Sequence, residues 1–373
     1  MVRPSIDLSI APMERALSLA RHALGTTSPN PAVGAVIVKE GAVVGQGYTL
    51  PRGQHHAEIV ALNDAGPAAR GATLYTTLEP CCHYGRTPPC TKAIIAAGIT
   101  KVHVPVTDPN PKVSGQGNLE LEQAGIEVVG EESQEASELY EAFARHINTG
   151  LPFVTAKFAM SLDGKITTHT GDSQWVTGLE SRGLVQRMRQ ECDAVMVGIN
   201  TVLADDPQLT AREVSGTPRE RQPLRVVLDS HTRTPPGSRM LREPGSTLIF
   251  TLAGASPAKV QELERAGTVV VPTSAGPDGR VDLQEVLAEL GRRDVVSLLV
   301  EGGGIVLGSL FDNGLVDKLH AFIAPVIIGG EGAASPVAGR GILRLADAWR
   351  LERTRLEAVG SDWLITGYPV RRG

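Results

Sequence analysis

His56-Ala57-Glu58, followed by Thr77-Leu78-Glu79-Pro80-Cys81-Cys82-His83-Tyr84-Gly85-Arg86-Thr87-Pro88-Pro89-Cys90, is the run that decides how the front of this chain folds. Imidazole and thiolate suit zinc, and three of the four cysteines crowd into this one stretch. Residues two apart inside a helix point roughly 200° away from each other. His56 and Glu58 therefore meet one metal only if a helix starts there and aims its N-terminus at the ion. Residues 56–65 read as that helix and 72–78 as a strand that ends just before Pro80-Cys81. Residues 89–97 read as a second helix, with proline in its first turn, where a missing N–H costs little. Cys90 then also sits at a helix start, which lowers a thiol's pKa and favours the ligating thiolate.

Around this run the chain alternates regular elements. Residues 13–24 read as a helix, stopped by Ser28-Pro29-Asn30-Pro31. Residues 33–38 and 43–48 are β-rich and joined by Lys39-Glu40-Gly41, a hairpin pattern. Residues 101–106 and 126–129 read as strands and 133–147 as one amphipathic helix. His146-Ile147-Asn148-Thr149-Gly150-Leu151-Pro152 breaks the pattern. The domain boundary is placed there, giving an expected front domain of residues 1–147 and a rear domain of 152–373. Behind it, strands are predicted over 153–160, 194–198, 225–229, 247–251, 269–271, 297–300 and 319–328. Helices are predicted over 180–191, 257–265, 283–292 and 305–313. Such alternation indicates a mainly parallel sheet. Residues 350–359 and 363–368, around Gly360-Ser361-Asp362, read as an antiparallel hairpin.

A chain of 373 residues exceeds what one core usually serves, so two domains are expected. Apolar content is 42% but aromatics only 4%, which leaves packing to Val, Leu, Ile and Ala, as in α/β proteins. The net charge of -5, with no Lys/Arg block, argues against a nucleic-acid binder. Residues 1–12 carry no apolar core of a secretory signal, and no run approaches a membrane span. A cytoplasmic protein is expected.

One His, two Cys, and a Glu that is not a ligand form the constellation of the zinc nucleobase and nucleotide deaminases. In that chemistry His56, Cys81 and Cys90 hold the metal and an open position takes water. Glu58 carries the proton from that water to the ring nitrogen and then to the departing ammonia. His55 and Cys82 are adjacent but are read as non-ligands, because the His-x-Glu spacing selects His56. The general deaminase signature spaces its cysteines CxxC, whereas eight residues separate Cys81 from Cys90.

That inserted stretch resembles the deaminase half of the bifunctional riboflavin biosynthesis family RibD. Most members carry Ser where this chain has Cys82, which makes Cys82 a competing ligand to consider. Pro29-Asn30-Pro31-Ala32-Val33-Gly34 and Asp108-Pro109-Asn110-Pro111-Lys112-Val113-Ser114-Gly115-Gln116-Gly117 resemble the same family. By that analogy Asn30 contacts the pyrimidine and the second segment shapes the pocket. Ordinary turn chemistry in Pro/Gly loops is the plainer alternative for both segments.

The rear half has no GxGxxG. Its glycine-rich element, Glu301-Gly302-Gly303-Gly304, lies between a predicted strand and helix, where backbone N–H groups can approach a phosphate. Lys157-Phe158-Ala159-Met160-Ser161-Leu162-Asp163-Gly164-Lys165, Ser173-Gln174-Trp175-Val176-Thr177 and residues 201–212 resemble the RibD reductase domain, which has a dihydrofolate-reductase-like fold. The resemblance implies an N-terminal cytidine-deaminase-like three-layer α/β domain, a C-terminal α/β reductase domain, one Zn2+ per chain, and NADPH. It implies cofactor contacts from Ala159, Trp175, Thr201, Asp205, Ser230, Gly303, Gly304, Ile305, Val306, Leu307, Gly308 and Ser309. It implies substrate contacts from Ser173, Arg189, Leu209, Arg212 and Glu301. Lys157 and Asp205 are the expected polar pair at the reacting sugar, with Lys157 as donor to developing charge. A surface lysine at 157 and a solvated helix face at 189 are the plainer alternatives.

The expectation is sequential chemistry on a small phosphorylated pyrimidine: deamination in front, then reduction of ribosyl to ribityl behind, by a homo-oligomer as in related enzymes. Two rivals remain open. One is a nucleic-acid editing deaminase with an accessory domain. The other keeps the deaminase and makes the rear half a non-catalytic nucleotide sensor.

Overall fold

A computed structural model describes residues 11–85, 88–213 and 215–371. The signal-peptide reading of the opening segment, and Arg86-Thr87 of the inserted stretch, fall largely or wholly outside these residues. The chain divides into two compact units, Met1–Gly150 and Leu151–Gly373.

The front unit runs α1 (Pro12–Ala23), β1 (Gly34–Lys39), β2 (Ala42–Tyr48), α2 (Ala57–Ala65), β3 (Thr73–Thr76), α3 (Cys90–Ala97), β4 (Lys101–Val104), α4 (Gln116–Gln123), β5 (Glu127–Gly130), α5 (Gln134–Leu139) and α6 (Glu141–Thr149). Its sheet has the order β2-β1-β3-β4-β5, antiparallel around β1 and parallel from β3 to β5. Successive strand residues face opposite sides. A Cβ on Gly34 would lie 1.9 Å from the Ala16 carbonyl oxygen of α1. A Cβ on Gly47, paired with Ala35, would lie 2.6 Å from Val60 of α2. The two helices thus press on opposite faces at glycines, which makes a three-layer sandwich. Its core joins Ala35, Ile37, Leu74 and Val102 to Ala57, Ala61, Ile94 and Leu121.

Two expectations are corrected here. The single helix expected over 133–147 is two, broken at Tyr140 (φ -106°, ψ 5°), whose buried hydroxyl lies 2.5 Å from Thr77 Oγ1. These dihedrals lie outside the helical region, so the chain turns at Tyr140 between the two helices. Helix α4, which starts at the end of the Gly-rich segment read as a loop and runs beyond it, was not expected.

The rear unit runs β6 (Phe153–Ser161), α7 (Leu179–Glu191), β7 (Ala194–Gly198), α8 (Ile199–Asp205), β8 (Leu224–Leu228), β9 (Thr247–Leu252), α9 (Pro257–Arg265), β10 (Val269–Thr273), α10 (Leu283–Arg292), β11 (Ser297–Val300), α11 (Gly304–Asp312), β12 (Lys318–Ala324), β13 (Arg350–Val359) and β14 (Asp362–Val370). One nine-stranded sheet has the order β10-β9-β8-β7-β11-β6-β12-β14-β13. Strands β10 to β12 are parallel, as the alternation predicts, and the β13–β14 hairpin pairs antiparallel with β12. Strand β12 ends at Ala324, short of the predicted 328, because Pro325 lacks the N–H that the ladder needs. The ends of β7, β8 and β11 and the starts of α8 and α11 share one edge of the sheet. That edge carries Thr201, Asp205 and Glu301.

His320 on β12 lies opposite Lys157 on β6, its Nδ1 3.0 Å from Thr366 Oγ1. Burial, then the charges of Lys318 and Arg355, push its pKa from 6.5 down to about 4. The native state thus holds His320 neutral while the unfolded chain protonates it. Its contribution is complete above pH 6.5 and is lost as pH falls towards 4. At about 1.4 kcal/mol per pKa unit this is about 3 kcal/mol. Denaturant titrations of the parent and His320→Gln should show a steeper acid loss for the parent across this window. Parallel curves would remove His320 from the account.

Two candidate active sites

In the front unit, His56 is the N-cap of α2 and Cys90 the first residue of α3, so two helix starts meet. Cys81 arrives on the loop after β3. His56 Nδ1 lies 3.6 Å from Cys81 Sγ and 3.4 Å from Cys90 Sγ, and the backbone N–H of Cys90 donates to Cys81 Sγ at 3.4 Å. The three ligand atoms all lie within 4.8 Å of one another. Tetrahedral zinc with ordinary Zn–S and Zn–N bonds separates sulfur from nitrogen by about 3.6 Å, so the donor set fits that metal. Hydrogen bonds from the Cys90 thiol and His56 hold Cys81 down at about 4, the thiolate form, despite its burial. His55 is exposed, and neither it nor Cys82 belongs to the cluster found among the described residues.

Glu58 is in the first turn of α2 and only 3% exposed. Burial foremost, then the Cys81 charge, pushes its carboxyl up to about 7. A group poised there can both take and give a proton near neutrality. Asn30 sits half-buried in the loop between α1 and β1, its N–H bonded to the Thr27 carbonyl at 3.0 Å.

In the rear unit a cleft of about 1290 Å³ opens at the sheet edge. It gathers Lys157 and Ala159 of β6, Ser173 and Trp175 of the following loop, Arg189 of α7, Thr201 and Asp205 of α8, Leu209 and Arg212 beyond it, and Glu301, Gly303, Gly304 and Leu307. Its centre is a buried ion cluster. Arg189 donates to both Glu301 oxygens, at 2.5 and 2.9 Å, and to the Thr210 carbonyl at 3.1 Å. Two of its five N–H groups remain. Lys157 Nζ lies 3.7 Å from Glu301 Oε2. Burial lowers the Lys157 pKa, Glu301 opposes this and Arg189 adds to it. Burial works against the Glu301 charge, but Arg189 outweighs it and the carboxyl stays below its usual range. Ser173 Oγ donates to Asp205 at 2.8 Å. Arg212 donates to Gln208, which donates to Glu243 at 2.5 Å.

Helix α11 starts at the glycine run with no side-chain cap, so its first N–H groups are available to an anion. That is what a dinucleotide's pyrophosphate requires. Ser230, Ile305, Val306, Gly308 and Ser309 lie outside the cleft lining. Val306 and Leu307 pack in the core, Gly308 packs against Ala338, and Ser309 donates to Asp278 at 3.3 Å.

The folds and sites define a zinc deaminase joined to a nucleotide-dependent reductase, and the comparisons agree. Residues 9–106 match the cytidine and deoxycytidylate deaminase zinc-binding region, and 152–365 match the RibD C-terminal domain. The chain is 42% identical to the riboflavin biosynthesis protein RibD of Actinobacillus pleuropneumoniae, over 95% of this chain and 93% of that one. The structure of Acinetobacter baumannii RibD superposes with a TM-score of 0.83 at 35% identity, covering 96% and 98% of the two chains. A Thermotoga maritima protein, a diaminohydroxyphosphoribosylaminopyrimidine deaminase/5-amino-6-(5-phosphoribosylamino)uracil reductase, gives 0.82 at 34%, with the same coverage. The chain therefore belongs to the RibD family. It is a bifunctional deaminase and reductase of riboflavin biosynthesis, with zinc and NADPH as cofactors. A nucleic-acid editing enzyme is not favoured, because the rear half is a reductase domain and not an accessory one.

Glu79 was not singled out by its sequence, yet it organises the front site. It is 3% exposed and accepts four backbone N–H groups: Asp108 (3.0 Å), Gly115 (2.8 Å), Gly117 (2.8 Å) and Asn118 (3.1 Å). It caps α4 and ties the Asp108–Gly117 segment to the ligand loop two residues before Cys81. A Cβ on Gly117 would lie 2.1 Å from the Pro80 carbonyl, so that contact needs glycine. The available signal was an acid wedged between Leu78 and Pro80. In Glu79→Gln the amide NH2 would face two of these donors, and each orphaned donor costs about 1–3 kcal/mol. The front unit should lose about 2–6 kcal/mol of stability and much of its deamination rate, with reduction unchanged. Parent-like melting together with parent-like ammonia release would discount the anchor.

Proposed function

We propose that the front unit hydrolyses an exocyclic amine of 2,5-diamino-6-(5-phospho-ribosylamino)pyrimidin-4(3H)-one. The rear unit then reduces the ribosyl group to give 5-amino-6-(5-phospho-ribitylamino)uracil. What carries the reading is the convergence of His56, Cys81 and Cys90 beside a buried, proton-poised Glu58, on one chain with a reductase cleft. The division into two compact units supports a deaminase domain of residues 1–147 and a reductase domain of 152–373. On this reading the protein acts in the cytoplasm, on a free small molecule, as a homo-oligomer. Among the described residues no helix is long and apolar enough to cross a membrane.

His56, Cys81 and Cys90 would hold zinc, which when bound supplies a Lewis acid that brings the pKa of water towards neutrality. Glu58 takes a proton from the attacking water and delivers protons to the ring nitrogen and the leaving amine. Water is consumed and ammonia released. Asn30 orients the pyrimidine.

In the rear cleft, NADPH when bound supplies hydride to the anomeric carbon of the opened ribosylamine. Ala159, Trp175, Thr201, Asp205, Gly303, Gly304 and Leu307 of the cleft lining would hold it, with Ser230 beyond the rim and Ile305, Val306, Gly308 and Ser309 backing the glycines that approach the phosphate. Lys157, its ammonium acidified by burial, gives the balancing proton to the sugar-derived oxygen or nitrogen. Ser173, Leu209 and Glu301 bind substrate. Arg212 and the two unused N–H groups of Arg189 take the 5′-phosphate, which suits a planar guanidinium fork.

The test mixes pure protein with the diaminopyrimidinone substrate, with and without NADPH, and follows ammonia and loss of reduced nicotinamide. Ammonia should appear in both mixtures, and NADPH should be consumed only as deaminated product forms. Glu58→Gln should slow ammonia release roughly 10²–10⁴-fold yet still reduce supplied deaminated substrate. Lys157→Ala should show the reverse pattern. Ammonia release without any NADPH consumption would leave the rear unit a sensor and contradict the proposal.

A further inference from the structure

We propose that Arg233 binds the adenosine 2′-phosphate of the cofactor and so sets the preference for NADPH over NADH. This rests on the cofactor placement proposed above. At the sheet edge β6, β11, β7 and β8 lie side by side. Three strand spacings, about 14–15 Å, separate β6 from β8. A dinucleotide with its nicotinamide against β6 and its pyrophosphate at the start of α11 runs outward across β7. Its adenosine end therefore arrives over residues 229–234, the turn that follows β8.

That turn is built to hold its shape. Asp229 is fully buried, and its Oδ2 accepts both the N–H and the hydroxyl of Thr234, each at 2.7 Å. Ser230 Oγ accepts the Val281 N–H at 3.2 Å, which leaves its own O–H to donate. Arg233 is exposed, and its Nη2 donates to Asn200 Oδ1 at 3.2 Å. Asn200 lines the cleft in the first turn of α8, next to Thr201. The guanidinium is thus tethered beside the cleft by one neutral contact, and the side chain is otherwise exposed. No ion pair engages it among the described residues.

Several other cations of the rear unit are committed elsewhere. Arg189 is bound to Glu301, and Arg182 lies 4.6 Å over the Trp175 ring. Arg280, on the loop before α10, pairs with Asp278 at 3.0 Å, and that carboxylate would repel a phosphate. Arg233 combines a free fork, a position beyond the end of β8, and Ser230 as a nearby donor. A 2′-phosphate offers both groups charged acceptor oxygens. A 2′-hydroxyl offers a guanidinium little.

The test is a calorimetric titration of the full chain with NADP+, NAD+ and 2′,5′-ADP, for the parent, Arg233→Ala and Arg233→Lys. A charged hydrogen-bond partner of this kind is worth roughly 10- to 150-fold. Arg233→Ala should weaken NADP+ and 2′,5′-ADP by a factor in that range while NAD+ changes by less than about twofold. Arg233→Lys should fall between, because it keeps the charge and loses the fork. The NADPH/NADH ratio of kcat/KM should drop by a similar factor. Unchanged NADP+ binding, or an equal loss for NAD+, would overturn the assignment. A parent that binds neither dinucleotide would overturn the cofactor site itself and this inference with it.

Discussion

His56 and Glu58 face the same point because α2 begins between them. Were the helix to start one residue earlier, it would turn imidazole and carboxylate apart, since residues two apart in a helix differ by roughly 200°. As N-cap, His56 has extended backbone (φ -72°, ψ 162°) and reaches the thiols from outside the helix. Glu58, inside the first turn, is forced into the same buried space. The constraint propagates. Cys90 must open α3 so that its N–H can donate to Cys81, and β3 must end early enough for the loop to bring Cys81 in. Glu79, four N–H groups in its grasp, then fixes the next loop against that one.

The rear unit reaches function by the same economy of position. Its polar groups sit where parallel strands end and helices begin, the edge at which a doubly wound sheet offers backbone N–H groups and helix dipoles to anions. Burying Lys157, Glu301 and Arg189 together would be costly for any one of them alone. As a set, Glu301 is held by two hydrogen bonds and two positive charges. Lys157 is left less firmly protonated than a surface lysine. The stabilising pair, Arg189 with Glu301, and the working group, Lys157, therefore differ in role although they touch.

Much of this was legible in the sequence because it is local. Helix starts at His56 and Cys90 follow from spacing and from proline, and the parallel sheet follows from apolar runs alternating with helical periodicity. What was not legible is mostly long-range. The Arg189–Glu301 pair joins residues 112 apart, and Glu79 finds its partners 29 to 39 residues on. Helix α4 was hidden by the glycines at its start, and α8 by its seven-residue length. Tyr140 interrupts a continuous periodic run, and its hydroxyl meets Thr77, 63 residues away in the chain. Asn30 and the reductase contacts came from family resemblance and not from pattern.

The central claim is that two helix starts and a strand-end loop build a zinc site from His56, Cys81 and Cys90. Metal analysis of the purified full chain, dialysed against metal-free buffer, addresses it most directly. The account predicts one zinc per chain in the parent, near-complete loss in Cys90→Ser, and retention in Cys82→Ser and Glu58→Gln. A parent without zinc, or a Cys90→Ser protein that keeps it at full occupancy, would contradict the account.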